Sequence, residues 1–244
     1  MIHTEQRSAV ALVTIDRPQR RNAVDLEALL GLEQAIAAAV ASGSETRVLV
    51  LTGAGGHFCA GADLTGVEDA AFGATLRSVL HALHDAPFPT IAAVDGAALG
   101  AGTQLAIACD LRTAGPSARF GIPAAKLGLM VDHWTVRRLA LLAGHGPARA
   151  MLLAADVLDA DNAVRLGLAQ RAGDLDAALT WASEIATLAP LTIRGHKLAL
   201  NRLEADMADD PVVADAFTRA WSSADLREGI AAFHERRPPR FRGE

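Results

Sequence analysis

The sequence contains very little cysteine. Only Cys59 and Cys109 occur among the 244 residues. Two cysteines are too few for a disulfide framework, and these two do not have the close spacing of a metal-binding motif. We therefore expect two reduced thiols and no metal site.

Long uninterrupted apolar segments are also missing. Hydrophobic residues make up 51% of the chain, but Asp, Arg, Gly or Pro interrupts every run before it nears the roughly 18 residues that cross a bilayer. Residues 1–7 lack the basic and apolar segments of a signal peptide. These absences predict a protein with no membrane span and a cytoplasmic location.

Positive charge is in slight deficit. The chain carries 23 Lys plus Arg against 28 Asp plus Glu, a formal net charge of −5. No basic stripe alternates with aromatic residues, which argues against a nucleic-acid partner. The length and apolar content suffice for one full core, so we expect one large domain with a small appendage.

Strands and helices alternate through the first half of the sequence. Apolar, β-branched runs closed by Gly, Asp or Pro predict strands at 10–15, 47–53, 90–94, 109–114 and 118–121. Helical spacing of apolar residues predicts helices at 25–40, where Asp25 would be the N-cap, and at 70–84. This alternation predicts a mostly parallel α/β core.

From Trp134 onward the apolar spacing becomes helical. The predicted helices cover 136–143, 147–153, 160–166, 177–188, 190–203 and 211–233, and one short strand is predicted at 168–170. We divide the chain into a core of residues 1–185 and a helical region of residues 186–244.

Two segments of small residues follow predicted strands, at 53–64 and 95–105. Small residues let backbone N–H groups approach a ligand, and the N-terminus of the helix that follows the second segment favours negative charge. Two N–H groups that converge from separate loops would stabilise an oxyanion. The alternative is that each segment is only a connecting turn.

The segments at 58–64 and 91–102 together resemble the enoyl-CoA hydratase/isomerase (crotonase) family. The similarity continues over essentially the whole chain, through 16–18, 21–24, 109–114, 119–123, 126–129, 163–168 and 228–233. The resemblance implies an α/β crotonase (ClpP-like) fold, a spiral of ββα turns with a C-terminal helical trimerisation region. It also implies a homotrimer or a dimer of trimers.

By the same resemblance, the ligand is a fatty acyl-CoA, bound as substrate or ligand without a separate cofactor. The thioester oxygen would bind the backbone N–H groups of Ala62 and Ala101. The residues implied in CoA binding are Arg21, Ala23, Val24, Ala60, Ala62, Asp63, Leu64, Thr65, Trp134, Phe233 and Arg236. Asp63 is interpreted as ordering its loop rather than transferring a proton, and Phe233 and Arg236 have the alternative of a solvated helix end.

The sequence departs from the family at both positions where its hydratases have glutamate. These positions hold Gln104 and Ala124. Neither side chain can transfer a proton at neutral pH, so ordinary hydratase activity should be weak or absent. Because isomerases of the family keep a carboxylate near the second position, Ala124 argues against isomerisation too.

A third departure is the segment 130–135, which replaces a Pro- and Gly-rich family loop. Trp134 should fill part of the acyl space there, and Asp132 with His133 is a candidate displaced acid/base pair. Alternatively, Asp132 caps a helix that starts at His133, and His133 and Trp134 are packing residues.

Three functional hypotheses remain at this point. The first is a fatty acyl-CoA-binding protein of lipid metabolism, a carrier, a sensor or the partner of another protein, with the glutamates lost. The second is a working lyase or isomerase on enoyl-CoA that uses Asp132 or His133. The third is a scaffold that binds no CoA.

Overall fold

The computed structural model describes residues 1–64, 70–205 and 211–241. Thr65, one of the predicted CoA-binding residues, lies outside these ranges. The strands are β1 (Ile2–Arg7), β2 (Val10–Ile15), β3 (Val48–Gly53), β4 (Thr90–Val94), β5 (Ala97–Leu99), β6 (Leu111–Ala114), β7 (Arg119–Gly121), β8 (Val157–Asp159) and β9 (Arg171–Ala172).

Helices connect these strands and make up the C-terminal part. They are α1 (Leu26–Ala41), α2 (Ala70–Asp85), α3 (Ala101–Ala108), α4 (His133–Ala143), α5 (His145–Leu153), α6 (Ala160–Arg165), α7 (Leu175–Ala186), α8 (Pro190–Ala205), α9 (Pro211–Ser222) and α10 (Ala224–Glu235). Two 3-10 turns lie at Pro18–Arg20 and Pro123–Leu127.

The strands form two sheets. The larger has the order β1-β2-β3-β4-β6-β9, in which β1 is antiparallel to β2 and the other pairs are parallel. The smaller has the order β5-β7-β8, with β5 and β7 parallel and β8 antiparallel. A largely parallel sheet fits the buried, apolar β3 and β4, because such strands need cover on both faces.

Both faces of the large sheet are covered, and β3 shows how. Its alternate residues Leu49 and Leu51 face the main core, which includes α1, α2 and α3. Val48 and Val50 face the other way and pack with Ala178 and Ala182 of α7. The sheet therefore lies between helices, as the alternation of elements predicts.

The central strands and most helices confirm the predictions. Asp25 caps α1 by accepting a hydrogen bond of 2.9 Å from the Ala28 N–H. The predicted helix at 211–233 is wrong as a single element, because α9 ends at Ser222 and Ser223 caps α10 by accepting from the Leu226 N–H. The strand predicted at 168–170 is also wrong: the pairing with β6 is made by β9, at Arg171–Ala172.

Helix α3 is buried along its whole length, and two arginines bind its C-terminal end. The Arg112 guanidinium is fully buried and donates to the carbonyls of Ala106, Cys109 and Leu168. Arg138 donates to the carbonyls of Ile107 and Cys109. A positive charge at this end offsets the partial negative charge of the helix terminus.

In the described ranges, no helix is both long and apolar enough to cross a membrane. The same residues include no group of three or more His, Cys, Asp or Glu side chains placed to hold a metal ion.

Candidate functional site

A cavity of about 330 Å³ lies where the two predicted small-residue segments meet. Ala60–Ala62 line it from the first segment, and Leu99–Ala101 from the second. Its walls are mostly apolar and come from α2, from residues 122–131 and from the C-terminal helices. Contributing side chains include Phe72, Leu76, Leu80, Ile122, Trp221 and Phe233.

Backbone hydrogen bonds hold the two segments side by side. The Cys59 N–H donates to the Ala97 carbonyl at 2.8 Å, and the Leu99 N–H donates to the Cys59 carbonyl at 3.0 Å. Gly102 allows this approach, because a Cβ at that position would lie 2.0 Å from the Cys59 carbonyl oxygen. Residues after both strands are thereby brought to one cavity, as parallel strand order requires.

Ala62 and Ala101 both line the cavity, and each has a single hydrogen-bond donor, its backbone N–H group. Within the described part of the chain, neither donates a hydrogen bond to another backbone or side-chain group. Ala101 is the first residue of α3, where N–H groups have no partner inside the helix. Two such donors on one apolar cavity are suited to a carbonyl oxygen that gains negative charge.

The turn after β2 lies along the first segment. Arg21 and Asn22 have left-handed φ angles of 50° and 59°. The Arg21 carbonyl accepts from the Ala60 N–H at 3.0 Å, and the Val24 N–H donates to the Gly61 carbonyl at 2.9 Å. Arg21, Ala23 and Val24 therefore lie next to the cavity-lining segment without lining the cavity themselves.

Asn22 is a positioning residue that the sequence analysis missed. It is fully buried, and its side-chain amide donates to the carbonyls of Ala54 and His57. The His57 Nδ1 in turn accepts from the Ala97 N–H at 3.1 Å. Asn22 thus links the turn to the first segment, and His57 links that segment to β5.

Asp63 is placed as its loop-ordering interpretation expects. Its carboxylate lies 3.6 Å from the Arg17 guanidinium, which also pairs with Asp25 at 2.5 Å. Arg17 therefore joins the N-cap of α1 to the segment that carries Ala62. Asp63 itself does not line the cavity.

Gln104 and Ala124, the two positions where the resemblance predicts glutamate, both line the cavity. Gln104 is buried, and its side-chain amide donates to the Thr135 hydroxyl at 2.9 Å. Ala124 lies in the second 3-10 turn. Neither residue brings an ionisable group to the space beside the Ala62 and Ala101 amides.

In the segment 130–135 the structure has the second predicted alternative, in which Asp132 caps a helix that starts at His133. Asp132 lines the cavity and is the N-cap of α4, accepting from the Thr135 N–H at 2.9 Å, whereas His133 does not line it. The two residues are thus not brought together there as an acid/base pair. Trp134, predicted to fill part of the space for an acyl group, does not line this cavity. It lies in the first turn of α4 and lines a different cavity beside His81 and His84.

The remaining predicted residues divide between the cavity and its surroundings. Leu64 and Phe233 line the cavity. Arg236 does not, and it ends α10 in a left-handed conformation on the surface. Burial raises the pKa of the Cys59 and Cys109 thiols to about 12, so both cysteines are unreactive packing residues.

Comparisons with known proteins match this arrangement. The family model described as enoyl-CoA hydratase/isomerase matches residues 5–244. The chain belongs to the enoyl-CoA hydratase/isomerase family. A probable enoyl-CoA hydratase of Mycobacterium tuberculosis, echA6, is 46% identical over 244 residues, with 100% of both chains covered.

More distant members of the family are similar over nearly the same length. The mitochondrial methylglutaconyl-CoA hydratase of Mus musculus is 33% identical, and the match covers 98% of this chain and 82% of that protein. The crystal structure of an enoyl-CoA hydratase/isomerase from Pseudoalteromonas atlantica superposes with a TM-score of 0.87 at 29% identity, covering 99% of each chain. The fold is therefore the mixed α/β crotonase fold, and the family is one of CoA and fatty acid metabolism.

Proposed function

We propose that this protein binds a fatty acyl-CoA and has weak or no hydratase activity. The observation that carries the proposal is the pair of Ala62 and Ala101 N–H groups on one apolar cavity, beside positions occupied by Gln104 and Ala124. The amides retain the means to bind a thioester oxygen. The proton-transfer groups that hydration requires are replaced by an amide and a methyl group.

The loss of one backbone donor tests the binding part of the proposal. Proline is tolerated at the first position of a helix, so Ala101→Pro removes the N–H while α3 can still form. We expect Ala101→Pro to weaken the binding of octanoyl-CoA about tenfold in calorimetry, and Ala101→Ser, which keeps the N–H, to leave it nearly unchanged. Circular dichroism would confirm that both variants are folded. Equal affinities of folded Ala101→Pro and wild type would contradict this role.

A working enzyme that uses Asp132 is the second candidate, because Asp132 lines the cavity. Its carboxylate accepts one backbone N–H as the cap of α4 and has a further oxygen. If Asp132 is the proton-transfer group of a working enzyme, the protein will hydrate crotonyl-CoA at enzymatic rates and Asp132→Asn will abolish the reaction. We expect no such turnover from the wild type, measured as loss of the enoyl-thioester absorbance.

Assembly and location are further parts of the proposal. Leu191 of α8 is 80% exposed, Leu203 is 74% exposed and Phe233 is 59% exposed, which supports a contact between copies of the chain. A homotrimer or dimer of trimers would be measured by light scattering. The cytoplasmic location and a protein partner in lipid metabolism stay predictions from the sequence.

A further inference from the structure

A second cavity, of about 620 Å³, lies between α2, α4 and α8. It shares no lining residue with the first cavity. Neither the oxyanion donors nor the positions of the missing glutamates face it. Any ligand in this space would therefore be bound separately from the acyl-CoA.

Basic side chains dominate the polar lining of this second cavity. They are Arg137, Arg138, Arg194, Lys197 and Arg202, and the one carboxylate among the described lining residues is Asp85. Two of these cations already bind other groups of the protein. Lys197 pairs with Asp110 at 2.7 Å and donates to the carbonyls of Leu83 and Phe88, while Arg138 binds the end of α3.

Arg194 and Arg202 have N–H donors that bind no other group in the described structure. The Arg194 Nε donates to the Pro87 carbonyl at 3.3 Å, which leaves both terminal nitrogens of the guanidinium unused within the described chain. Arg202 makes no hydrogen bond or ion pair with any residue whose side chain the structure describes. Guanidinium groups match phosphate and carboxylate geometry, with two parallel hydrogen bonds to one anion.

One wall of the cavity is formed by aromatic rings. The Trp134 ring centroid lies 5.3 Å from that of His81 and 5.7 Å from that of His84. His84 is only 6% exposed, yet its Nδ1 has no hydrogen-bond partner in the described structure. Because this nitrogen is itself buried, a ligand in the cavity would contact the His84 ring and not its Nδ1.

We propose that the second cavity is a site for a small organic anion. Its phosphate or carboxylate group binds Arg194 and Arg202, and its apolar or aromatic body lies against Trp134 and His84. The inference does not depend on acyl-CoA binding, because the residues that carry it are absent from the first cavity.

Titration of the purified full chain with simple probes tests this site. Phenyl phosphate and benzoate carry an anionic group on a ring, benzyl alcohol carries no charge, and inorganic phosphate has no ring. We expect phenyl phosphate or benzoate to quench the Trp134 fluorescence and to bind in calorimetry, inorganic phosphate to bind more weakly, and benzyl alcohol not to bind. Trp134→Phe should remove the fluorescence change.

Charge-matched variants then assign the binding to the cavity. The double variant Arg194→Gln/Arg202→Gln should raise the Kd of the bound probe about tenfold or more, because each charge-assisted contact is lost. Arg149→Gln/Arg165→Gln removes the same charge from α5 and α6, outside both cavities, and should not change the Kd.

Three results would overturn the proposal. The first is that neither organic anion binds. The second is that the two double variants weaken probe binding equally. The third is that octanoyl-CoA displaces the probe, which would put the probe in the first cavity. A failure of octanoyl-CoA to bind at all would contradict the proposed function and leave the result for the second cavity unaffected.

Discussion

The side-chain amide of Gln104 donates a hydrogen bond of 2.9 Å to the hydroxyl of Thr135. This bond connects α3, whose N-terminus carries the Ala101 donor, with α4, whose N-cap is Asp132. Gln104 is therefore held by the fold in a buried position beside the cavity.

Restoring both carboxylates should restore some hydration. Gln104→Glu/Ala124→Glu places two ionisable groups on the cavity, and each proton-transfer group contributes about 100 to 10,000-fold to such reactions. We expect the double variant to hydrate crotonyl-CoA at least about 100-fold faster than the wild type, measured by absorbance, and each single variant to gain less.

The hydration rate of the wild-type protein decides how this result is interpreted. Fast hydration by the wild type would show that the reaction does not need glutamate at positions 104 and 124, and would contradict the proposed function. If the double variant still binds octanoyl-CoA but gains no hydration, the segment 130–135 would be the second obstacle.

Gly102 sets the distance between the two cavity-lining segments. Because its Cβ would lie 2.0 Å from the Cys59 carbonyl oxygen, Gly102→Ala should push the segments apart. We expect a loss of about 2 kcal/mol or more in the free energy of unfolding, and weaker octanoyl-CoA binding. Urea unfolding and calorimetry would measure the two effects.

A matched substitution separates this clash from the general effect of alanine. Gly195 is inside α8, and no atom lies within 4 Å of a Cβ built there. Gly195→Ala should therefore be neutral or stabilise by up to about 1 kcal/mol. If both variants lose the same stability, close approach at Gly102 is not the reason.

The central part of the fold could be predicted from the sequence because its signals are local. Strands β2, β3 and β4 are continuous apolar runs, and α1 has both apolar spacing and its Asp25 cap. Strand β1 was missed because five of its six residues are exposed and polar, so it has no alternation. Strand β8 has three residues and forms only by pairing with β7.

The candidate site was less accessible to sequence reasoning. The small residues at 53–64 and 95–105 indicated which backbone segments meet, and those segments do line one cavity. The direction in which Trp134 points depends on how α4 packs against α2, which no local pattern reports. Asn22 was missed for the same reason, since its hydrogen bonds reach residues 54 and 57 across the fold.

His84 should make the fold sensitive to acid. Burial lowers the pKa of His84 from 6.5 to about 4, and the nearby positive charge of Arg138 adds to this effect. The unfolded chain therefore takes up a proton near pH 6.5 while the folded chain does not, so stability falls as the pH drops from about 6.5 to 4. His84→Phe removes this contribution. The decrease in the free energy of unfolding between pH 6.5 and 4 should therefore be smaller by on the order of 1 to 2 kcal/mol.

Urea unfolding at several pH values would measure that difference. His145→Gln, at an exposed position in α5, is the control and should follow the wild-type curve. An unchanged slope in His84→Phe would mean that His84 is protonated in the folded state at the same pH as in the unfolded chain.

Arg112 should be required for the stability of α3 and, through it, for ligand binding. Its buried guanidinium satisfies the carbonyls of Ala106, Cys109 and Leu168, and burial lowers its pKa to about 10, still well above neutral pH. Arg112→Met fills similar space but removes the Arg112 donors from those carbonyls, of which the Cys109 carbonyl keeps only the bond from Arg138. We expect a loss of about 3 kcal/mol or more in the free energy of unfolding.

Because Arg112 lies at one end of α3, its effect on ligand binding can be separated from a general loss of fold stability. Arg112 binds the C-terminal end of α3, and Ala101 presents its N–H at the opposite end. Loosening the helix should therefore weaken octanoyl-CoA binding under conditions where the variant is still folded. Because Arg138 also donates to the Cys109 carbonyl, Arg112→Met/Arg138→Met should lose a different amount of stability from the sum of the single variants. Additive losses together with unchanged affinity would show that the two arginines act independently and that α3 does not transmit their effect to Ala101.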